Sequence, residues 1–375
     1  MILAVDIGTT FLKVGIIDFN GKISYSEKRA IDLSVDKDLR EVDPTKWVKG
    51  LSNLFLSIPA NLLDSLTGIV ISGNGPTFVP VDKTGNSAGK ALLWIDDRSL
   101  TVADEITRRL GSPIPPNFFL SKAFWFKKER PTEYKNTISF LSCPEYISYL
   151  LTGEKYTLLP QDGFIDLYWT DDKIDKLDLD QKMFPKFISP FEVYGTLRDN
   201  PITSGLRKGL PVICGGPDFI MSILGTGSVY EGVLCDRTGT SEGLNFCCSD
   251  PTRIEGLRTL PHVIPGLYTI AGLIPNSGEY LLNDRLDLLI DEYKNSINLM
   301  VKSGLKIKEI RVVGGHAGIE RLNIKKASQF DIPLKVYPEG SDLVGNGVLG
   351  SLVLGVYPSI GEACSRMVKE KVCYN

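Results

Sequence analysis

The sequence predicts an α/β protein built from two related lobes, and three observations lead to this prediction. Short apolar runs typical of strands alternate with segments of helical spacing, which indicates a sheet covered by helices. A polar turn at residues 6–10, between two such runs, is echoed at residues 236–241. The chain has 375 residues, more than a single hydrophobic core usually holds. We place the lobes at residues 1–205 and 206–375.

Composition and charge argue against several classes of function. Lys and Arg number 42 and Asp and Glu number 45, so the net charge of −3 leaves no basic surface for nucleic acid or acidic lipid. The two histidines are too few for a histidine metal site, and the seven cysteines lack CxxC spacing, which indicates reduced thiols. No apolar stretch approaches the roughly 20 residues of a membrane span. The prediction is a soluble cytoplasmic protein that binds neither nucleic acid nor membranes.

The elements of the first lobe follow from local signals in chain order. Apolar runs at 2–5 and 12–17 predict a hairpin, and an Asn-Gly turn leads to a third strand from residue 23. Asp43 and Pro44 predict the start of a helix, because Asp caps free N–H groups and Pro suits the first helical position. Residues 68–72 predict a buried strand.

The second lobe is expected after a Lys/Asp-rich surface segment at 171–201 that contains several prolines. A strand at 210–214 is predicted to begin its α/β pattern. An apolar stripe predicts a helix over 283–303, with Asp284 near its start. Residues 310–313 predict a strand that runs into a glycine pair.

The first polar turn has the composition of a phosphate site. Gly8 lets backbone N–H groups approach a ligand closely, and Thr9 and Thr10 add hydroxyl donors. Lys13 could bring a cation to the same phosphates, and Asp6 could hold Mg²⁺ through water. The alternative is a plain hairpin with capping threonines. A second turn of the same kind strengthens the phosphate interpretation; it contains Gly239, Thr240 and Ser241.

Asp218 follows a Gly-Gly-Pro turn after an apolar strand and precedes a helical segment. The simplest role of an acid at this place is an N-cap, and from these residues alone that interpretation is favoured. The alternative is a general base for a hydroxyl nucleophile, which phosphoryl transfer requires in addition to phosphate donors and a metal.

Two further motifs carry polar chemistry. Trp94, Asp96 and Arg98 would suit a polyol, since an aromatic ring stacks on its face and charged groups bind its hydroxyls; the alternative is a surface turn with an ion pair. The glycine pair at 314–315 with His316 could let adenine or ribose approach the backbone, although any tight turn between a strand and a helix uses glycine.

Taken in order, these motifs resemble the FGGY carbohydrate kinases, the xylulokinase and glycerol kinase group with the duplicated actin-like (ribonuclease H-like) ATPase fold. The resemblance covers nearly the whole chain. It rests on the segments 6–13, 94–98, 122–154, 215–218 with Gly225, 239–241 and 314–317.

The resemblance implies phosphorylation of a sugar or polyol hydroxyl by Mg-ATP in a cleft between two lobes that close on the ligand. Asp218 would be the general base, and Asp6 would bind Mg²⁺ through water. The remaining expected site residues fall into three groups. The phosphates would be bound by Gly8, Thr9, Thr10, Lys13, Gly239, Thr240 and Ser241, the adenosine by Gly314, Gly315 and His316, and the substrate by Asn74, Trp94, Asp96, Arg98 and Asp218.

Three departures from the family pattern shape these expectations. Residues 74–77 read Asn-Gly-Pro-Thr where many relatives have Gln-Met-His-Gly, so the sugar cannot be taken over from xylulokinase. His316 replaces a third glycine. The second lobe lacks a long segment after Gly278, which leaves open a different class of protein: an actin-like nucleotide-binding sensor that transfers no phosphate. A homodimer also stays an open alternative.

Overall fold

The computed structural model describes residues 1–31, 40–203 and 205–374. The chain packs into two compact units. The first comprises Met1–Ile16 and Ser24–Asp218, and the second comprises Ile17–Ile23 and Phe219–Asn375. Each unit has its own sheet and its own hydrophobic core.

The first unit contains twelve strands and seven α-helices among its described residues. The strands are β1 (Ile2–Ile7), β2 (Phe11–Ile17), β3 (Ile23–Ala30), β4 (Glu41–Val42), β5 (Gly68–Gly73), β6 (Val79–Asp82), β7 (Ala91–Leu92), β8 (Thr137–Leu141), β9 (Tyr156–Leu158), β10 (Lys186–Ile188), β11 (Gly195–Thr196) and β12 (Pro211–Pro217). The helices are α1 (Pro44–Leu56), α2 (Ala60–Leu63), α3 (Ala103–Leu110), α4 (Phe119–Glu129), α5 (Pro131–Asn136), α6 (Cys143–Thr152) and α7 (Asp171–Lys176). Short 3₁₀ helices lie at Arg98–Val102, Asp162–Leu167, Gln181–Met183 and Pro201–Thr203.

A six-stranded sheet in the order β11-β12-β5-β1-β2-β3 forms the centre of the first unit. β1, β5 and β12 run parallel, so their carboxyl ends meet at one edge. The predicted hairpin and the strand at 68–72 are confirmed. So is the helix start, where the Asp43 side chain accepts a hydrogen bond from the Thr45 N–H.

The second unit contains the remaining elements. The strands are β13 (Val233–Thr238), β14 (Glu242–Cys248), β15 (Arg258–Pro261), β16 (Tyr268–Ile274), β17 (Glu309–Gly314), β18 (Leu334–Val336) and β19 (Val372–Tyr374). The helices are α8 (Asp218–Gly225), α9 (Ser277–Leu282), α10 (Leu286–Lys302), α11 (Glu320–Ala327), α12 (Ser341–Val353) and α13 (Ile360–Met367).

The second sheet repeats the central pattern of the first. Its order is β15-β16-β14-β13-β17-β18-β19. β13 and β14 form an antiparallel hairpin, and β13, β17 and β18 run parallel, as β1, β5 and β12 do in the first unit. The predicted duplication is therefore present in the topology: in each unit a hairpin is extended by two parallel strands.

Two sequence predictions need correction. The strand predicted at 210–214 forms, but β12 pairs with β5 in the first sheet, so the units divide after Asp218 and not after residue 205. The helix predicted over 283–303 starts only at Leu286. Asp284 has a left-handed φ of 54°, which interrupts the helical path between α9 and α10.

Candidate functional site

The first polar turn lies between β1 and β2. The Gly8 N–H donates to the Phe11 carbonyl at 2.9 Å, and a Cβ at Gly8 would lie 2.9 Å from the same oxygen. The turn is thus too tight for a side chain at this position. Thr9 is half-buried and Thr10 is exposed. The Lys13 ammonium lies 3.3 Å from the buried Asp6 carboxylate, so a cation and an anion stand together beside the turn.

Asp218 lies at the same edge of the first sheet as Asp6. In the register of the three parallel strands, Asp6 is level with Ser72, and Ser72 is level with Gly216. Because neighbouring strands are about 4.8 Å apart, the backbones at Asp6 and Gly216 are separated by about 10 Å. The carboxylates of Asp6 and Asp218 both contribute, after burial, to raising the pKa of the Cys143 thiol. The two acids therefore face a common region.

The local backbone presents Asp218 at a helix start. β12 has a register shift between Cys214 and Gly216, and Gly216 has a left-handed φ of 75°. Such an irregularity changes the direction of the chain that follows it. Asp218 is half-exposed as the first residue of α8, where the helix dipole favours a carboxylate.

The Asn74 side chain points inward and binds the backbone of the first polar turn. Its side chain is buried, with 1% exposed. The amide group donates to the Ile7 carbonyl at 3.0 Å and to the Gly8 carbonyl at 3.4 Å, and its oxygen accepts a bond from the Thr77 hydroxyl. These contacts favour a role in holding the first polar turn over the predicted contact with substrate.

The Trp94 motif is joined to the same turn. The Trp94 indole N–H donates to the Thr9 hydroxyl at 3.2 Å. Asp96 is 2% exposed and binds Arg98 through both of its oxygens, and Arg98 also contacts Glu41 at 2.6 Å. The ion pair of the alternative interpretation is therefore present, but it is buried and not a surface feature. Asp96 orients Arg98, which leaves Trp94 and Arg98 as the members accessible to a ligand.

Lys122 supports both loops, a role that is not predicted from the sequence. Its ammonium donates to the Leu93 carbonyl at 2.7 Å and to the Pro76 carbonyl at 3.0 Å, which tethers the 74–77 loop to the Trp94 motif. Its side chain lies in α4 among apolar neighbours, and burial lowers its pKa to about 7. A lysine inside the run Phe-Leu-Ser-Lys-Ala-Phe-Trp-Phe was the available signal.

The lowered pKa of Lys122 predicts a pH dependence of stability. Between pH 7 and the unfolded pKa near 10.5, the unfolded chain binds more protons at this residue than the folded chain does. Lys122 should therefore make the free energy of unfolding of the wild type rise with pH relative to that of Lys122→Met in this window, by up to about 1.4 kcal/mol per pH unit.

Denaturant titrations followed by tryptophan fluorescence would measure this effect, because all four tryptophans lie in the first unit: Trp47, Trp94, Trp125 and Trp169. Lys127→Met is the matched control, since Lys127 lies on the same helix with an exposed partner, Asp178. The control should follow the pH profile of the wild type. An identical pH profile for Lys122→Met and the wild type would contradict the assignment.

The second polar turn occupies 239–241 between β13 and β14. Thr240 is exposed, and Gly239 and Ser241 are half-buried. The Thr240 carbonyl accepts a hydrogen bond from the Gly278 N–H at 2.9 Å, and a Cβ at Gly278 would lie 2.9 Å from the Thr240 Cα. The start of α9 thus packs against the turn and fixes its backbone.

The predicted adenosine turn lies next to it, because β13 and β17 are parallel neighbours. Thr238 is level with Gly314, and its hydroxyl donates to the Val313 carbonyl at 3.0 Å. Gly314 has a φ of 107°, and a Cβ there would lie 2.2 Å from the Thr238 carbonyl oxygen. Gly315 is exposed, and burial lowers the pKa of the half-buried His316, which favours a neutral imidazole. The second unit therefore places its two predicted nucleotide turns side by side.

The donor set of the first unit fits Mg²⁺. Among the described residues there is no group of three or more His, Cys, Asp or Glu side chains that could hold a metal. Mg²⁺ does not require one, since it is commonly bound by one or two carboxylates together with waters and substrate phosphates. Asp6 and Asp218 supply such oxygens at one sheet edge.

Comparison with known families decides the class of the protein. Residues 1–225 match the N-terminal domain of the FGGY family of carbohydrate kinases. The chain belongs to the FGGY family. This confirms the predicted relationship, and the FGGY relatives include a xylulose kinase of Staphylococcus xylosus and an L-fuculokinase of Escherichia coli O157:H7.

The two FGGY relatives differ in how much of their length is matched. The xylulose kinase is 27% identical over 74% of this chain and 62% of its own length. The L-fuculokinase is 25% identical over 97% of this chain and 94% of its own length. Against the xylulose kinases and the gluconokinase, the chain spans between about half and 62% of the relative's length.

Solved FGGY structures share the fold. A ligand-bound xylulose kinase from Lactobacillus acidophilus matches with a TM-score of 0.86 and 16% identity over 100% of this chain and 93% of its own. The glycerol kinase of Plasmodium falciparum, solved with ADP, matches with a TM-score of 0.83 and 16% identity over 99% and 93%. The predicted duplicated actin-like fold is confirmed. In the described part of the chain, every helix is too short or too polar to span a membrane.

Proposed function

We propose that the chain phosphorylates a hydroxyl group of a sugar or polyol with ATP. The observation that carries the proposal is the placement of Asp218 beside Asp6 and the Gly8–Thr10 turn, at the carboxyl edge where α/β sheets bind ligands. Family membership supports the class of substrate. We assign no particular sugar, since the 74–77 loop turns its one amide inward.

Asp218 is the general base of the proposed reaction. The substrate hydroxyl oxygen attacks the γ-phosphorus of ATP, the bond from that phosphorus to the bridging oxygen of ADP breaks, and the hydroxyl proton passes to the Asp218 carboxylate. A half-exposed carboxylate at a helix start is accessible to a substrate and lies where the helix dipole favours negative charge. Phosphoryl transfer then depends mainly on positioning and charge stabilisation.

The other site residues hold the two substrates. Gly8, Thr9, Thr10 and Lys13 in the first unit, and Gly239, Thr240 and Ser241 in the second, donate N–H, O–H and ammonium groups to the phosphates. Gly314, Gly315 and His316 receive the adenosine, and Trp94 and Arg98 contact the sugar. Mg²⁺, held by Asp6 through water, supplies neutralisation of phosphate charge when it is bound.

The test of this function is ADP release from Mg-ATP across a panel of ketoses, aldoses and polyols, with Asp218→Ala as the blank. Turnover on one compound that disappears in the variant supports the proposal and identifies the substrate. Tight ATP binding without turnover on any compound would favour the second candidate, a nucleotide-binding sensor. The observation that favours it is that the chain spans only 62% of the xylulose kinase it matches.

Removal of both hydroxyls of the second turn should weaken ATP more than sugar. In the variant Thr240→Ala/Ser241→Ala we expect the dissociation constant for ATP to rise about tenfold, because two net hydrogen bonds of about 0.7 kcal/mol each are lost. The affinity for the sugar should be unchanged, and calorimetric titration of each ligand would measure both. Ser249→Ala, at the far end of β14, is the control. A loss of sugar affinity with ATP affinity intact would mean that the turn has another role.

A reducing location is consistent with the thiols, since all seven cysteines are reduced and six of them are buried. We infer that the protein works in the cytoplasm, where ATP and reduced thiols coexist. The predicted lack of nucleic-acid binding and the homodimer alternative remain predictions.

A further inference from the structure

Three charged side chains that are not among the residues assigned to the substrates meet inside the second unit. The Lys326 ammonium lies 2.7 Å from an oxygen of Asp236 and 2.8 Å from an oxygen of Glu242. All three side chains are completely buried, with 0% exposed. Burial of three charges costs free energy unless they are paired closely, so we expect the cluster to have a structural or functional role.

The location of the cluster indicates its role. Asp236 lies in β13 and Glu242 begins β14, so the two acids flank the 239–241 turn on either side. Lys326 comes from α11 and binds both of them. The hydroxyl of Ser277 donates to the second oxygen of Glu242 at 3.1 Å, and the next residue, Gly278, donates its N–H to the Thr240 carbonyl. The cluster therefore fixes both ends of the turn and also the start of α9, which contacts the turn.

The charges of the cluster bear directly on an anionic ligand. Two carboxylates next to a phosphate-binding turn repel phosphates unless a nearby cation offsets part of their negative charge. Lys326 supplies that cation, and the ring of Tyr293 lies 4.7 Å from its ammonium and stabilises the charge further. The half-buried His316 also faces the cluster, and its lowered pKa keeps it neutral. Burial, followed by repulsion from Glu242, raises the pKa of Asp236, which reduces the negative charge further.

We propose that Lys326 is a positioning residue for the nucleotide phosphates: it ties Asp236 and Glu242 together across the 239–241 turn and offsets one of their two negative charges so that the turn can accept a polyphosphate. This inference rests on the proposed function, because it assumes that the turn binds ATP. It assigns a role to three residues that do not themselves touch the ligand.

The test is equilibrium binding of ATP, ADP and adenosine to the intact chain, measured by competition with a fluorescent adenine nucleotide. In Lys326→Met the affinity for ATP should fall at least about 30-fold and that for ADP less, because the loss of the cation leaves carboxylates facing the phosphates. The affinity for adenosine should be unchanged. Lys325→Met is the matched control, since Lys325 is the preceding residue on α11 and pairs with the exposed Asp287. It should bind all three ligands like the wild type.

A second variant, in which ATP affinity should not fall, tests the inference even if Lys326→Met does not fold. Glu242→Gln keeps the shape of the side chain, its oxygen can still accept from Lys326 and its amide N–H can donate to the Ser277 hydroxyl, but one negative charge is removed. ATP affinity should be retained or should rise relative to adenosine. A selective loss of ATP affinity in Glu242→Gln, or an equal loss for ATP and adenosine in Lys326→Met, would overturn the inference. If the wild type itself bound no ATP, the proposed function would fail instead.

Discussion

Replacement of Asp218 by asparagine is expected to lower kcat for sugar phosphorylation by about 10³-fold, the usual contribution of a positioned general base. Asparagine preserves the size of the side chain but cannot take the hydroxyl proton. The affinity for ATP should be unchanged, because the phosphate-binding groups lie in the two polar turns. Steady-state kinetics on the substrate found in the panel, together with a nucleotide titration, would measure both quantities.

Asp171→Asn provides the matched control for this experiment. Asp171 is also an aspartate in the first turn of a helix, α7, but it is exposed. Its replacement removes the same carboxylate from the same kind of position and should leave kcat unaltered. If Asp218→Asn had wild-type activity, Asp218 would be a helix-capping residue and the base would have to be sought elsewhere.

Replacement of Arg98 by methionine is expected to destabilise the first unit by about 3 kcal/mol. Arg98 binds Asp96 and Glu41, which are 2% and 7% exposed, and its guanidinium lies 4.5 Å from the centre of the Trp125 ring. Methionine would leave two buried carboxylates without this cation, and breaking a buried pair in this way costs about 3–5 kcal/mol. Glu41 keeps a second contact with Arg130, so we expect the lower end of that range.

Chemical denaturation followed by tryptophan fluorescence would measure the loss, since every tryptophan is in the first unit. Arg109→Met is the control, because Arg109 forms an exposed pair with Glu105 one helical turn away, which contributes about 0.5 kcal/mol or less. Equal, small effects of the two substitutions would show that the Arg98 network is no more important for stability than a surface pair.

The parts of the fold that could be predicted from the sequence are those set by local signals. The β1–β2 hairpin, the capped start of α1 and the glycine turn before Asp218 each depend on neighbouring residues, and each was predicted. β12 was assigned to the wrong unit, because a strand's partner is decided by contacts far along the chain and not by its own residues. The start of α10 was misplaced because Asp284 adopts the left-handed conformation. An aspartate can adopt this conformation, but its presence in the sequence does not predict it.

The candidate site shows the same division. The polar turns were found from their glycines and hydroxyl groups, whereas the buried groups that support them were not. Lys326 is 90 residues away from Asp236 and 84 from Glu242, and nothing near any of the three marks them as partners. Asn74 was predicted as a ligand contact since its type suits a sugar. Only its burial and its bonds to the Ile7 and Gly8 carbonyls favour a supporting role.

The central claim is that the γ-phosphoryl group of ATP is transferred to a sugar hydroxyl and not to water. The most direct measurement is mass spectrometry of the products formed from ATP whose γ-phosphoryl group carries ¹⁸O, in the presence of the best compound of the panel. We expect a sugar monophosphate that carries the labelled phosphoryl group, and we expect this product to be absent in Asp218→Asn. Label recovered only in inorganic phosphate, or ATP that is bound tightly but stays unchanged, would contradict phosphoryl transfer to a sugar.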